Sequence, residues 1–326
     1  MNGSPPRGPA GRATRRVPSP SSGTLAKGAI DWGRLAPLRL RARQVADGVY
    51  AGAHRSARRG TGVELGGFRE YMPGDDLRWL DRRSLLRHDH LVIRQFETET
   101  DRALCLVVDA SASMAFRGPS APGAKLAFAA LVAASVSHVA LSNGDPASVA
   151  FVGGEGAAPV RRGGGREQFE RIVACLESVR AGGDATADPA MLDRSLQTLA
   201  RSAKRGAIVV FLSDLLDLPD DAAERVAALA PAGRVLVVVQ VLDPAEVDLP
   251  FAGTVRLRAL EGGAVVETDA DAARSRYVEA LEGLTRGWRE TVLRRGGTFL
   301  RATTADDPVD VVRALVDRVR LRTGPA

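Results

Sequence analysis

The sequence predicts an α/β protein in three layers: a mostly parallel sheet with helices on both faces, preceded by a small irregular N-terminal module. Three observations predict it. From residue 103 onward, short runs rich in branched apolar residues alternate with longer segments of helical periodicity, the pattern of strand–helix–strand units. These runs are apolar throughout rather than alternating, as strands buried on both faces should be. Finally, Asp109, Ser213-Asp214 and Asp243 each close such a run, and open α/β sheets bind ligands beyond the carboxyl ends of their strands.

Taken in order, residues 1–26 are rich in Pro, Gly, Ser and Arg without periodicity and read as a disordered basic tail. A module rich in Arg and Gly follows over 27–102. In it Leu35, Leu38, Leu40, Val45 and Val49 fall mostly at helical spacing, predicting a helix interrupted or begun near Pro37. Residues 54–101 are punctuated by glycine, turn at Pro73-Gly74 and end in the strand-like LVIRQFE. The sheet domain spans 103–326. LCLVVD is a buried strand, Lys125–Ser142 a long Ala-rich helix stopped by Asn143-Gly144, and ASVAFVG a second strand. Helices over 166–179 and 190–203 precede the strand AIVVFLSD. A helix over 220–229, the strand RVLVVVQVLD and a short hairpin of TVRLRAL with AVVETD come next. A long helix over 275–295, the strand TFLRAT and a helix over 308–320 close the chain. Glycines 163–165 lack the following Lys-Ser/Thr of a phosphate loop and read as a flexible turn.

Of the 326 residues, 45% are hydrophobic and 26% charged, enough apolar material for a core. The longest apolar run, 126–134, stops at Ser135, so no membrane span is expected. The N-terminal stretch has no apolar core of a secretory signal, and the expected location is cytoplasmic. The net charge of +6 is uneven: residues 1–60 carry twelve Lys/Arg against Asp31 and Asp47. Such a head can engage nucleic acid, but no aromatic residues interleave the basic ones as stacking platforms, so a solvated tail is the preferred reading. Cys105 and Cys175 lie in apolar elements and read as buried free thiols.

The chemistry concentrates in LCLVVDASASMAF, residues 104–116. Side chains two apart on an extended segment point the same way, so Asp109, Ser111 and Ser113 offer three converging oxygens. The plainer alternative is a helix start with a Ser cap. Hard cations such as Mg2+ take oxygen ligands and keep several waters. Two further oxygens come from Thr186 in the glycine-led loop AGGDATADP and from Asp214 at the end of VVFLSD. Asp184 and Asp188 flank Thr186 and offer alternatives to it.

This set resembles the metal-ion-dependent adhesion site of von Willebrand factor A domains, over about residues 103–305. The resemblance implies Mg2+ (or Mn2+) held directly by Ser111 and Ser113 and, in one state, by Thr186, with Asp109 and Asp214 balancing charge. It also implies an open coordination position that an acidic side chain of a protein partner fills, and no enzymatic activity. Upstream, Arg59-Gly60, Arg69, Tyr71, Pro73-Gly74-Asp75-Asp76 and Asp81 resemble the bacterial domain-of-unknown-function 58 family, over roughly residues 50–215. That family usually has Trp-Arg after the matching aspartate, whereas Asp81 is followed by Arg82-Arg83 and the tryptophan is Trp79. Its members imply a MoxR-type AAA+ ATPase as partner, in chaperone-like maturation or envelope maintenance.

Other readings weigh less. A phosphatase-like hydrolase with Asp109 as nucleophile usually has a second carboxylate where Ser111 stands. His88-Asp89-His90 read as surface residues, and His138 as a core or rim residue. Asp75, Asp76 and Asp81 among Arg69, Arg78, Arg82 and Arg83 read as an ion-pair network holding the module on the sheet domain.

Overall fold

The computed structural model describes residues 37–56, 68–70, 92–94 and 102–323, apart from 157, 186, 189 and 232. The basic tail, the Pro73–Asp76 turn, Asp81, the 88–90 histidine pair and Thr186 lie outside the described residues. α1 (Leu38–Ser56) comes first, and β1 (Phe68–Glu70) pairs antiparallel with β2 (Val92–Arg94). The domain then runs β3 (Leu104–Ala110), a 3-10 turn (Ala112–Ala115), α2 (Lys125–Ser142), β4 (Ala147–Gly153), β5 (Val160–Gly163) and α3 (Gly165–Ser178). It continues through α4 (Ala190–Ser202), β6 (Ile208–Ser213), α5 (Ala222–Ala227), β7 (Val235–Leu242) and α6 (Pro244–Asp248). A hairpin of β8 (Thr254–Arg258) and β9 (Val265–Asp269), then α7 (Ala270–Arg294), β10 (Thr298–Thr303) and α8 (Pro308–Thr323), complete it.

The main sheet has the order β10-β7-β6-β3-β4-β5, parallel except for β5, as the run of apolar strands predicts. From β3 the chain steps outward to β4 and later returns to pair β6 on the other side of β3. The reversal makes the carboxyl ends of β3 and β6 a switch point, the place where open α/β sheets bind ligands.

Strand alternation divides the core into two layers. Leu104, Leu106 and Val108 face α1, α2, α3 and α8, while Cys105 and Val107 face α4, α5 and α7. α2 lies against the sheet on one side and α1 on the other, and thirteen of its eighteen residues are buried. A helix covered on two sides has no polar face to keep, which explains its nearly uniform Ala/Val/Leu composition. By length and composition it is apolar enough to cross a membrane, yet here it is the core helix. α1 buries Leu38, Ala42, Val45, Ala46 and Val49 as one stripe, while Leu40 points off it, 48% exposed. Each fully buried Val or Leu there contributes about 1.5–3 kcal/mol.

Four features differ from expectation. β5 is an unexpected strand, and its last residue falls in the 163–165 glycine run read as a turn: VRRG is too short and polar to announce itself, and it lies half-exposed at the sheet edge. Gly163 ends that strand, and a Cβ there would lie 2.6 Å from Gln168 Oε1. α6 follows β7 directly because Asp243 and Glu246 form a capping box around Pro244. α7 starts at Ala270, ahead of the expected 275, because the Asp269 carboxylate accepts the Asp271 and Ala272 N–H groups. Both cysteines are free and Cys105 is buried, but Cys175 is only half-buried, its thiol donating to Ala158 O at 2.9 Å.

Candidate functional site at the strand tips

Asp109, the penultimate residue of β3, lies on the face it shares with Cys105 and Val107, and it is fully buried. Its Oδ1 accepts the Ser111 N–H at 2.9 Å, and its Oδ2 accepts the Ser213 hydroxyl at 2.5 Å. Ser213 Oγ in turn accepts the Leu215 N–H at 2.9 Å, which ties the β6 tip to the β3 tip. Burial, reinforced by the Asp214 charge, pushes the Asp109 carboxyl up to about 7 against the opposing pull of Ser213 and Ser111. Ser111 stands at the N-cap of the 3-10 turn, but its hydroxyl makes no capping bond. It lies instead 3.1 Å from the Ser113 hydroxyl. The plain capping reading of this stretch therefore fails.

Asp214 follows β6 and is also fully buried. Its Oδ1 accepts the Leu216 N–H at 2.9 Å and its Oδ2 the Lys125 ammonium at 2.7 Å. Lys125 is the first residue of α2, is wholly buried, and reaches Glu246 Oε1 at 2.5 Å as well. Burial pulls its pKa down, but the Asp214 and Glu246 carboxylates outweigh burial and raise it. Beneath them the Gln240 amide donates to Asp214 O at 3.3 Å and accepts the Thr285 hydroxyl at 3.1 Å. Leu215 and Asp217 both take positive φ (65° and 54°), an uncommon backbone for side-chain-bearing residues that clusters where a loop is held for function.

The third loop is held onto β3 by its backbone: Gly182 N–H donates to Ala110 O at 2.8 Å, and Ala112 N–H to Gly183 O at 3.1 Å. Gly153 beside it has φ +67°, and a Cβ there would lie 2.9 Å from Gly182 O, so the close approach needs glycine. Of the residues flanking Thr186, Asp188 turns outward to Arg194, while Asp184 Oδ1 accepts the Ala187 N–H at 3.0 Å. Over these loops reaches Glu261, from the turn between β8 and β9, only 6% exposed. Its Oε1 accepts the Ser113 N–H at 3.2 Å and its Oε2 the Ala185 N–H at 3.1 Å.

The structure thus brings Asp109, Ser111 and Ser113 together, with Asp214 at the adjoining tip already paired to Lys125. Sequence reasoning missed Lys125, Glu246 and Glu261, and it named Ser213 only as part of a strand tip. A lone lysine opening an Ala-rich helix and a glutamate in a Gly-Gly turn carry no local signal. Only the packing shows that they are buried. The donors suit a hard cation in being oxygens: Asp214 and the nearly buried Glu246 pair with the Lys125 ammonium, while the buried Asp109 and Glu261 accept hydroxyl and backbone N–H groups. Among the described residues no group of three or more His, Cys, Asp and Glu is placed to hold a metal.

A six-stranded, mostly parallel sheet with helices on both faces and polar groups at its β3–β6 switch point defines the class, an open α/β domain. Within that class the chain belongs to the family described as "Protein of unknown function DUF58", which it matches over residues 67–284. It is 31% identical over 308 residues to uncharacterized proteins of Mycobacterium tuberculosis and Mycobacterium bovis, a match covering 91% of this chain and 94% of each relative. Among solved structures it is similar to BatB from Bacteroides thetaiotaomicron, at 16% identity and TM-score 0.44, covering 68% of this chain and 99% of that one. It is also similar to a von Willebrand factor type A protein from Catenulispora acidiphila, at 13% identity and TM-score 0.38, covering 70% and 43%.

Proposed function

We propose that this chain is a non-enzymatic, Mg2+-dependent protein-interaction module. Ser111, Ser113 and Thr186 hold the cation, with Mn2+ as a substitute, and Asp109 and Asp214 balance its charge. A bound cation supplies positive charge amid these carboxylates and a coordination place that a partner's Asp or Glu completes. The observation that carries the reading is at the switch point, where the Asp109 carboxylate accepts the Ser111 N–H and the Ser111 and Ser113 hydroxyls lie 3.1 Å apart, the Ser111 hydroxyl unspent on capping. The working partner in this reading is a MoxR-type AAA+ ATPase of the cytoplasm, in chaperone-like maturation or envelope maintenance.

Surface plasmon resonance with a purified MoxR-type ATPase from the same genome tests it. Binding is expected in Mg2+ and lost both in EDTA and in Asp109→Ala. Binding that persists under both conditions overturns the metal dependence. Mg2+-dependent hydrolysis of p-nitrophenyl phosphate, abolished by Asp109→Ala, would establish the hydrolase instead.

A further inference from the structure

The β8–β9 hairpin is a sheet of its own, not hydrogen-bonded to the main one. Isolated two-stranded hairpins are marginal in water, and this one gains little from apolar burial. Leu257, Leu260, Val265 and Val266 are 39%, 49%, 45% and 57% exposed. Its turn is nonetheless well defined: Gly262 and Gly263 both have φ +67°, a conformation glycine takes without steric cost, and Ala259 N–H donates to Ala264 O at 2.8 Å across the loop. Glu261 is the residue just before those glycines, so the turn aims its side chain down onto the strand tips. Among exposed neighbours it alone of the hairpin turn is buried, with one oxygen on the Ser113 N–H and the other on the Ala185 N–H. One donor belongs to the Asp109–Ser113 loop and the other to the loop carrying Thr186. A carboxylate therefore already spans the two loops between which an outside acidic side chain would have to arrive.

We propose that Glu261 is a tethered internal ligand of the strand-tip site, and that the β8–β9 hairpin is a latch which must lift before an outside carboxylate binds. The inference rests on the function proposed above and adds a regulation of the same site. The latch is releasable because, among the described residues, few hydrogen bonds hold it: the hairpin is joined to the domain at its ends, where Gly253 N–H donates to the Asp271 carboxylate and Ala270 N–H to Gly253 O, and at Glu261. Segments with few buried contacts open at low free-energy cost. A tethered competitor lowers the apparent affinity of a free ligand by the fraction of time the site is closed.

Three measurements on the full chain test this, comparing wild type with Glu261→Ala, Glu261→Gln and, as a control on an exposed strand position, Glu267→Ala. They are hydrogen exchange of the hairpin amides, calorimetric Mg2+ binding, and titration of acetate in saturating Mg2+ followed by NMR. Glu261→Ala is expected to speed exchange over 254–269 and to strengthen acetate binding about tenfold, with Glu261→Gln in the same direction and Glu267→Ala unchanged. Unchanged hairpin exchange in Glu261→Ala overturns the latch. Mg2+ binding to both proteins with equal acetate affinity overturns the competition while leaving the metal reading standing. Failure of Mg2+ to bind either protein overturns the metal reading, and the internal-ligand role with it.

Discussion

Lys125 Nζ lies 2.7 Å from Asp214 Oδ2, and both side chains are wholly buried. The contact joins the first turn of α2 to the tip of β6, so the ammonium neutralises a carboxylate that would otherwise stand without a counter-charge in a dry place at the carboxyl end of the sheet. Removing one partner of such a pair strands the other. Lys125→Met is expected to lower stability by about 3–5 kcal/mol, read from urea denaturation. Adding Asp214→Asn should recover part of that loss, because the abandoned charge goes with it.

The metal reading makes a prediction independent of any partner. Mn2+ binding followed by electron paramagnetic resonance should weaken about tenfold to a hundredfold in Asp109→Asn, whose shape is kept while its charge is lost. Ser113→Ala should do likewise through the lost hydroxyl, and Ser178→Ala, whose hydroxyl bonds only its own helix end, should not.

His138 provides a pH dependence away from the strand tips. Its ring packs on Phe169 with centroids 4.8 Å apart. Burial first, then the Arg43 charge, lower its pKa, with Asp47 opposing. The unfolded chain then takes up the proton more readily, so stability is full above the unfolded value of about 6.5 and falls as pH drops through it. Urea midpoints at pH 7.5 and 5.5 should differ less in His138→Gln than in the wild type.

Gly118 tests the packing beside α6. A Cβ at that position would lie 2.2 Å from Asp243 Oδ1 and 2.8 Å from the Ala245 Cβ, where the Gly118 N–H now donates to Asp243 Oδ2 at 2.8 Å. Gly118→Ala should cost about 1–3 kcal/mol by thermal or urea melting. Gly164→Ala, where a Cβ meets nothing within 4 Å, should stay within about 0.5 kcal/mol of the wild type.

The sequence by itself determined the order of the strands and helices, because each is written in local terms: apolar runs for buried strands, an i, i+4 stripe from Leu38 to Val49 for α1, Asn143-Gly144 for the end of α2. It also brought Asp109, Ser111 and Ser113 together, since residues two apart on one segment need no distant partner to converge. Where local signals were weak it fell short, at the edge strand β5 and at the capped starts of α6 and α7. Tertiary structure decided the rest. That Lys125 is buried against Asp214 and Glu246, that Ser213 bonds Asp109, and that Glu261 seats on Ser113 and Ala185 all join residues between 76 and 148 positions apart. Such contacts follow from strand order and loop direction, and a lysine or glutamate reads as solvated until packing removes the water around it.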